Sequence, residues 1–411
     1  MPNNKNQHYV PRCHLKPFTR DGEGLAINLL NHASGRVVLG APVKNQCSRS
    51  YFYGEDLVLE TLLQDEEGKY AAIVRAITAG ETVDLAQHRF LRDFAYLQVS
   101  RTAAAMERRR AALVEMDHVA HQGFEDVRNE RPDTSHPQIM LSTMKTWAET
   151  AKHIHDLEVL LVRNETSRDF FTSDDPAALT NRVYLQRMKD HSFGLITVGT
   201  QIVMPLTPRV AMISFDPGAY VPKGASKGWI VTDRVGDVHA INEFQLLNSV
   251  ANLYFADADD AGRIGVAFAA AALRRPAERF RNWVGVQIDD DGDFERYRRA
   301  TPEELQTRAT RVTTYSPVYP VPSRWFSKLP FRLPLSGATN GSGVGFVRPA
   351  HMKPGIRYRT EPIPTRPLPG HGADGPNVAY IRKEALRDPA PRPMRGADLN
   401  ALVRSAGRHL R

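Results

Sequence analysis

The segment Gln7–Phe18, directly after a short polar start, concentrates side chains that can do acid–base or phosphate chemistry. Its twelve residues hold two histidines, His8 and His14, together with Arg12 and two aromatic residues. A histidine can take up or release a proton near neutral pH, and an arginine can hold phosphate oxygens. Because chain ends are usually mobile, such a concentration predicts that the rest of the protein fixes this segment.

Two carboxylates and an arginine form the second candidate set. Glu60 and Glu67 lie about two helical turns apart in a helix predicted from about Glu55 to Ile77, and they share its apolar face. Arg101 continues the apolar stripe of the next predicted helix, so we expect its side chain to point to the interior. A carboxylate on an apolar stripe must be paired or solvated by a cleft. A buried Glu67–Arg101 ion pair and a catalytic role for both residues are therefore the two alternatives.

A third set, Ser173 and Asp174, ends the predicted strand Arg168–Ser173. Polar side chains at the end of a strand can reach a cleft from a rigid base. The alternative is a local turn, in which Asp174 binds backbone N–H groups ahead of Pro176.

These blocks give the sequence a resemblance to a bacterial family of uncharacterised proteins, domain-of-unknown-function family 4238. Its members open with a QHYVPR-x-x-L-x-x-F type signature. The sequence matches that signature position for position at His8, Tyr9, Pro11, Arg12, Leu15 and Phe18. Cys13 and His14 stand where the family tends to have aromatic residues, so the resemblance does not support His14 as a shared functional group.

The resemblance extends over about Asn6 to Phe255 and implies no established activity. The later blocks are Glu60 with Glu67, the stretch Gln98–Thr102 that contains Arg101, the TSDNP-like segment Phe170–Pro176, and Asn242 with Asn248. In the third block, Asp175 replaces the usual asparagine. Capping and helix packing explain Asn242 without a catalytic role. The residues expected to support the structure or the site are Tyr9, Pro11, Phe18, Asn242 and Asn248.

Hydrophobic patterns place helices and strands in separate parts of the chain. They predict a β-hairpin at Gly24–Leu30 and Arg36–Leu39, and then helices over about 55–77, 85–119 and 137–156. The strands predicted next are 157–163, 168–173, 193–199, 201–206, 209–215 and 228–232, followed by helices over about 241–255 and 260–273. This segregation predicts an α+β fold, in which long N-terminal helices pack on a mostly antiparallel sheet.

Charge and proline are concentrated at the end of the chain of 411 residues. Residues 301–411 hold 18 basic and 7 acidic residues, a net charge of +11, and 16 of the 28 prolines. We therefore predict a single globular domain over 1–300 and a basic Pro/Arg-rich extension over 301–411 that is largely disordered. Its arginines would bind the phosphates of nucleic acid or acidic lipid. A solvated tail without a partner is the alternative.

The remaining composition narrows the class of protein. Two cysteines, Cys13 and Cys47, cannot build a disulfide framework or a four-thiolate zinc site. No signal peptide and no apolar run near the roughly 18 residues of a membrane span are present, so a cytoplasmic location is predicted. No cofactor and no metal site are predicted, although the sequence leaves open whether a divalent metal binds. The sequence gives no indication of the oligomeric state.

The leading hypothesis is a hydrolase-like enzyme that acts on a phosphodiester or nucleic-acid substrate, in phage defence or as a toxin. In it, His8 is the general acid or base, and Asp174 or Glu67 orients His8 or a metal-bound water. Arg101 holds the phosphate, together with the substrate-binding side chains of Arg12, Glu60 and Ser173. The alternative is a non-catalytic binding module whose polar signature residues form a buried structural network. It explains the absence of a known catalytic motif.

Overall fold

The computed structural model describes residues 5–120, 132–188, 192–290, 294–306, 311–340, 345–363 and 378–382. The chain opens with strand β1 (Asn6–His8) and the short helix α1 (Arg12–Leu15). The predicted hairpin is confirmed, because β2 (Ala26–Asn31) and β3 (Val37–Pro42) pair antiparallel. Strand β4 (Ser48–Ser50) then returns to pair with β1.

Four helices follow, and one of them ends inside a stretch whose sequence pattern predicts a continuous helix. They are α2 (Val58–Thr78), α3 (Leu85–Arg101), α4 (Ala103–Ala120) and α5 (His136–Thr150). The single helix predicted over 85–119 is wrong, because Thr102 is extended and separates α3 from α4. The Thr102 hydroxyl accepts a hydrogen bond from the Ala105 N–H and donates to the buried Asp175 carboxylate. A side-chain cap and a distant partner therefore start a new helix inside a continuous helical pattern.

The central sheet has five strands in the order β10-β5-β9-β8-β7. Its strands are β5 (Glu158–Asn164), β7 (Ala178–Asn181), β8 (Thr200–Thr207), β9 (Val210–Phe215) and β10 (Trp229–Thr232). All neighbours are antiparallel except β10 and β5. The strand predicted over 193–199 is wrong: this stretch forms turns, and Thr197 makes only an isolated bridge to Val347. The Val183–Met188 segment is a π-helical turn.

A second sheet, in the order β3-β2-β11-β6, joins the hairpin to the middle of the chain. The strand predicted over 168–173 shortens to β6 (Thr172–Ser173). The helix predicted over 241–255 is two elements, α6 (Val235–Asn248) and β11 (Asn252–Phe255). Strand β11 lies between β2 and β6, and these pairings take Leu253 and Tyr254 out of the helical pattern. Helix α7 (Ala261–Ala272) lies within the helix predicted at 260–273.

Two cores lie on opposite faces of the central sheet. Helices α2, α3 and α5 cover one face, where Leu63, Phe94, Trp147 and Met212 are buried together. Helix α6 covers the other face, where Ile213 packs with residues such as Ile241 and Phe244. Because Met212 and Ile213 alternate between the cores, the sheet is buried on both faces. These helices on a mostly antiparallel sheet confirm the α+β fold.

In the described part of the chain after α7, four strands lie beyond residue 300, where the composition predicts disorder. Strands β12 (Phe280–Asp290), β13 (Phe294–Arg299), β14 (Arg311–Pro317) and β17 (Val378–Arg382) form a sheet in the order β14-β12-β13-β17. Strands β15 (Ser336–Thr339) and β16 (Arg359–Pro362) pair with each other. None of the helices in the described ranges is long and apolar enough to cross a bilayer.

The prediction that disorder begins at 301 differs from the structure over the described ranges 311–340 and 345–363. Phe326, Leu329 and Ile363 are buried in the core beside α6. Arg348 is 1% exposed, and two of its nitrogens contact the Asp156 carboxylate at 2.7 and 2.9 Å. Isolated apolar anchors and one buried ion pair fix this segment without any periodic pattern, so composition alone missed it. Residues 364–377 and 383–411 lie outside the described part, and the predicted extension stays a prediction there.

Candidate functional site

The signature segment is held in place through its backbone and through Gln7. The Gln7 side chain is fully buried, accepts from the Tyr53 N–H at 2.5 Å and donates to the Gly54 carbonyl at 3.0 Å. The Tyr9 N–H donates to the Cys47 carbonyl at 2.9 Å. The expectation that something fixes the opening of the chain is therefore met by these hydrogen bonds and the pairing with β4.

Arg101 lies at the centre of the contacts around this segment, and its side chain has no exposed surface. Its Nη2 donates to the Glu67 Oε1 at 2.7 Å and to the His8 carbonyl at 3.1 Å. Its Nε donates to the Tyr53 hydroxyl at 2.8 Å. The predicted Glu67–Arg101 ion pair is thus present. We call these four residues, His8, Tyr53, Glu67 and Arg101, the Arg101 network.

The charges in the Arg101 network are mutually compensating. Burial alone would lower the pKa of Arg101, but the Tyr53 hydroxyl and the Glu67 carboxylate together hold it above its ordinary value. Glu60 is half-buried beside the network, and its carboxylate accepts from Gln64 at 3.2 Å. Burial, with a smaller contribution from Glu67, raises the pKa of Glu60. The Arg101 Nη1 stays unsatisfied, because it is buried without a partner in the described structure.

His8 is partly buried and uncharged at neutral pH. Burial lowers its pKa to about 4, and the positive charges of Arg12 and Arg101 add to this effect. Its Nε2 is buried and has no hydrogen-bond partner among the described residues. Arg12 is exposed on α1. A neutral imidazole can accept a proton, but a pKa this low makes it a weak base.

Cys13 and His14, the two departures from the family signature, face the interior. The Cys13 thiol lies 3.6 Å from the Glu67 carbonyl, and burial raises its pKa to about 12. The His14 ring has no exposed surface and bridges the Tyr70 hydroxyl at 2.9 Å and the Thr172 hydroxyl at 2.8 Å. Burial lowers the pKa of His14 to about 3. His14 therefore connects α1 to α2 and β6 as a neutral side chain.

Asp174 has its carboxylate directed at a loop rather than at His8. Its oxygens accept from the backbone N–H groups of Val250 (3.1 Å), Ala251 (3.0 Å) and Asn252 (3.2 Å). Burial and the neighbouring Asp175 raise the pKa of Asp174 to about 6, against the effect of these three bonds. The bonds cap the connection from α6 to β11. As in the local-turn alternative, Asp174 accepts hydrogen bonds from backbone N–H groups. These groups belong to residues more than seventy positions away in the chain and not to a local turn.

The remaining predicted residues on this side are engaged in the same way. Ser173 is buried and donates to the Gln245 amide at 2.8 Å. Asn242 accepts from the Phe171 N–H and donates to the Asp169 carbonyl, at 3.1 and 2.9 Å. Asn248 donates weakly to the Ala177 carbonyl at 3.4 Å. These contacts join α6 to the TSDNP-like segment.

The aromatic and proline residues of the signature pack in the core. Tyr9 lies against Phe52, with ring centroids 5.1 Å apart. Pro11 precedes α1, and its carbonyl accepts from the N–H groups of His14 and Leu15. Phe18 is fully buried with Tyr254 in a small core beneath the hairpin. The supporting role expected for these residues stays a prediction.

Asp175, which departs from the family's asparagine, forms a second charged contact that the sequence analysis missed. It is fully buried and accepts from the Thr102 hydroxyl at 2.7 Å and from the Arg108 Nη1 at 2.6 Å. Arg108 lies on α4, which begins after the break at Thr102. The replacement of asparagine by a carboxylate is the signal that could have indicated a cationic partner nearby.

The predicted residues thus fall into two groups. Arg101 contacts the Glu67 side chain and the backbone carbonyl of His8 rather than its imidazole, and Glu60 and Arg12 lie close enough to act on the charges of this group. Ser173, Asp174, Asn242 and Asn248 instead bind backbone and amide groups between α6 and β6. Within the described ranges, no group of three or more histidine, cysteine or carboxylate side chains could hold a metal ion.

Comparison with known proteins identifies a family for this chain. The model of the family described as "Protein of unknown function (DUF4238)" matches residues 6–259, which include β1, both groups of predicted residues and all of the central sheet. No curated protein and no solved structure matches the chain. Because the match spans more than half of its length, the chain belongs to the DUF4238 family.

Proposed function

We propose that this protein is a non-catalytic binding module whose signature residues form a buried polar network. The observation that carries the proposal is the complete burial of Arg101, the arginine expected to hold a phosphate. It is already bonded to Tyr53, Glu67 and the His8 carbonyl. A substrate phosphate would have to displace those partners or open the packing around them.

The second group of residues supports the same proposal. Asp174 accepts hydrogen bonds from three backbone N–H groups, and Ser173 and Asn242 are each buried with a hydrogen-bond partner. Leaving a buried donor or acceptor unsatisfied costs about 1–3 kcal/mol. Releasing these side chains for catalysis would therefore weaken the connection between α6 and the TSDNP-like segment.

A pair of stability measurements tests the proposal. Truncation of a network residue should lower stability, whereas truncation of a catalytic residue usually leaves folding intact or improves it. We expect Arg101→Ala and Asp174→Ala to lower the melting temperature clearly. Lys145→Ala on α5, which removes only a solvent-accessible ion pair, is the control. Unchanged melting of both test variants would contradict the network.

A second candidate function, hydrolysis of a phosphodiester, is favoured by two unsatisfied atoms. His8 Nε2 and Arg101 Nη1 are both buried and have no partner in the described structure. In this candidate, neutral His8 takes a proton from the attacking water, and Arg12 and Arg101 hold the phosphate. Glu67 positions Arg101 through their ion pair. If the protein acts in phage defence or as a toxin, its activity should be measurable as inhibition of growth when it is expressed.

One variant separates the two candidates. His8→Ala removes the imidazole but keeps the backbone carbonyl that Arg101 uses. If hydrolysis is the function, the variant should lose growth inhibition and cleavage of labelled DNA or RNA while its melting temperature stays within a few degrees. If the protein is a binding module, wild type and variant should both lack cleavage activity.

A further inference from the structure

A cluster of arginines lies where α4 crosses the sheet of β12 and β14. The Asn282 amide on β12 donates to the Ala112 carbonyl on α4 at 3.3 Å and fixes this crossing. Arg108 and Arg109 lie on α4, and Arg279 directly precedes β12. We call these residues, Arg108, Arg109 and Arg279, together with Tyr315 on β14, the arginine cluster.

The positive charge of the arginine cluster is compensated only in part. Asp175 pairs with Arg108 at 2.6 Å, but it is fully buried and also binds Thr102. Arg109 contacts the neutral Ser142 hydroxyl at 3.1 and 3.3 Å. Arg279 contacts the neutral Asn248 amide oxygen at 3.0 Å. Among these contacts, three guanidinium groups thus share one carboxylate.

Arg279 lies in an electrostatically unfavourable environment. Burial, and then the like charge of Arg108, lower its pKa to about 10, so it still carries a full charge at neutral pH. Its Nε is buried without a hydrogen-bond partner in the described part of the chain. Bringing like charges together and leaving a donor unsatisfied are both unfavourable. An anion bound between Arg108 and Arg279 would relieve both costs.

An exposed aromatic ring lies beside the three arginines. Tyr315 is 46% exposed, and its ring lies 6.2 Å from that of Phe280. Arg109, Arg108 and Arg279 all lie close enough to act on the charge of its hydroxyl. Arginines that follow a phosphate backbone next to an aromatic side chain are the usual elements of single-strand recognition, because any base can stack on the ring.

We infer that the arginine cluster binds single-stranded nucleic acid, with a backbone phosphate between Arg108 and Arg279 and a base stacked on Tyr315. The inference rests on the proposed binding function and names its ligand. It places the nucleic-acid site on the folded domain, and Tyr315 of the segment predicted to be a disordered tail is part of it.

The test is fluorescence anisotropy of the full chain with a labelled oligothymidylate over a series of salt concentrations. Arg279→Gln, which keeps a donor for Asn248, should weaken binding about tenfold and reduce the salt slope by roughly one phosphate contact. Tyr315→Ala should weaken binding at least about fivefold, and Tyr315→Phe should retain it. Arg110→Gln is the matched control, because Arg110 lies on the same helix but is held by Glu107 and the Thr134 carbonyl.

Three outcomes would overturn the inference. In the first, Arg279→Gln and Tyr315→Ala bind like wild type. In the second, only a full-length variant with Arg392, Arg395, Arg404 and Arg408 changed to glutamine loses binding, which assigns the site to the end of the chain. In the third, inorganic phosphate competes as well as an equal concentration of oligonucleotide, which identifies a free-phosphate site. None of these outcomes depends on the melting curves or cleavage assays that test the proposed function.

Discussion

Two charged regions, which contact the neighbouring residues Arg101 and Thr102, differ in their burial and in their balance of charge. On one side, the Arg101 network is buried, and Glu67 balances its guanidinium. On the other, Thr102 binds Asp175, and the arginine cluster beyond it has more positive than negative charge and is partly exposed. Removing one partner of a buried, balanced pair destabilises the fold, whereas uncompensated charge at the surface is free for a ligand.

This difference separates the roles of residues that look alike in sequence. Arg101 and Arg108 are arginines seven positions apart on successive helices, and both contact a carboxylate. Only Arg108 lies near two further arginines, Arg109 and Arg279, that have no carboxylate partner among the described residues. The predictions below test whether stability depends on the first region and ligand binding on the second.

The largest effect is expected at Arg101. Arg101→Ala should lower the free energy of unfolding by about 3–5 kcal/mol, because it leaves the Glu67 carboxylate without its buried partner. The 22% exposure of the Glu67 side chain places the loss toward the lower end of that range. Urea denaturation gives the value. Arg101→Met combined with Glu67→Leu should recover part of the loss, and a loss below about 1 kcal/mol for Arg101→Ala would break the comparison.

The second prediction concerns acid stability at His14. Its folded pKa, about 3, lies below the ordinary 6.5, so the unfolded chain binds the proton first. Stability is therefore complete above pH 6.5 and falls as pH decreases toward 3, by up to about 1.4 kcal/mol per pH unit. Unfolding free energies at pH 7 and pH 5 should show a larger loss for wild type than for His14→Gln. Equal losses would mean that His14 is solvated.

A smaller effect with the opposite pH dependence is expected at Asp174. Asp174→Asn replaces one acceptor oxygen by a donor that faces an N–H group, which should cost about 1–3 kcal/mol at neutral pH. The folded pKa of Asp174, about 6, exceeds its ordinary 3.8. Its titration therefore stabilises wild type as pH falls from 7 to 4. The gap between wild type and variant should widen on acidification, and a narrowing gap would contradict the assigned burial.

The smallest effect is expected in the arginine cluster. Arg279→Gln removes a charge that Arg108 disfavours, so the free energy of unfolding should change by less than about 1 kcal/mol in either direction. Thermal unfolding at low and high salt measures this, with Arg110→Gln as the control. A loss as large as that of Arg101→Ala would show that the arginine cluster is structural and remove the contrast between the regions.

Much of the fold could be predicted from local patterns. Leu59 with Leu63 and Phe90 with Phe94 repeat at helical spacing, and the apolar run at 209–215 marks a strand, so most of the helices and most of the strands of the central sheet could be placed from the sequence. The misplaced elements have tertiary causes. Thr102 ends a helical pattern because Asp175 binds its hydroxyl, and Tyr254 joins a strand because β2 and β6 lie on either side.

The sequence by itself determined the family and the α+β class, because these depend on motifs and on hydrophobic periodicity, and it offered the pairing of Glu67 with Arg101 as one of two alternatives. Only the tertiary structure decided that Asp174 caps a loop at 250–252, that Arg348 joins the end of the chain to Asp156, and that Arg279 lies close enough to Arg108 to be affected by its charge. These contacts join segments tens to hundreds of positions apart. The strength of their hydrogen bonds and charge interactions depends on the distance between the atoms and on their burial. A local periodicity in the sequence contains neither quantity.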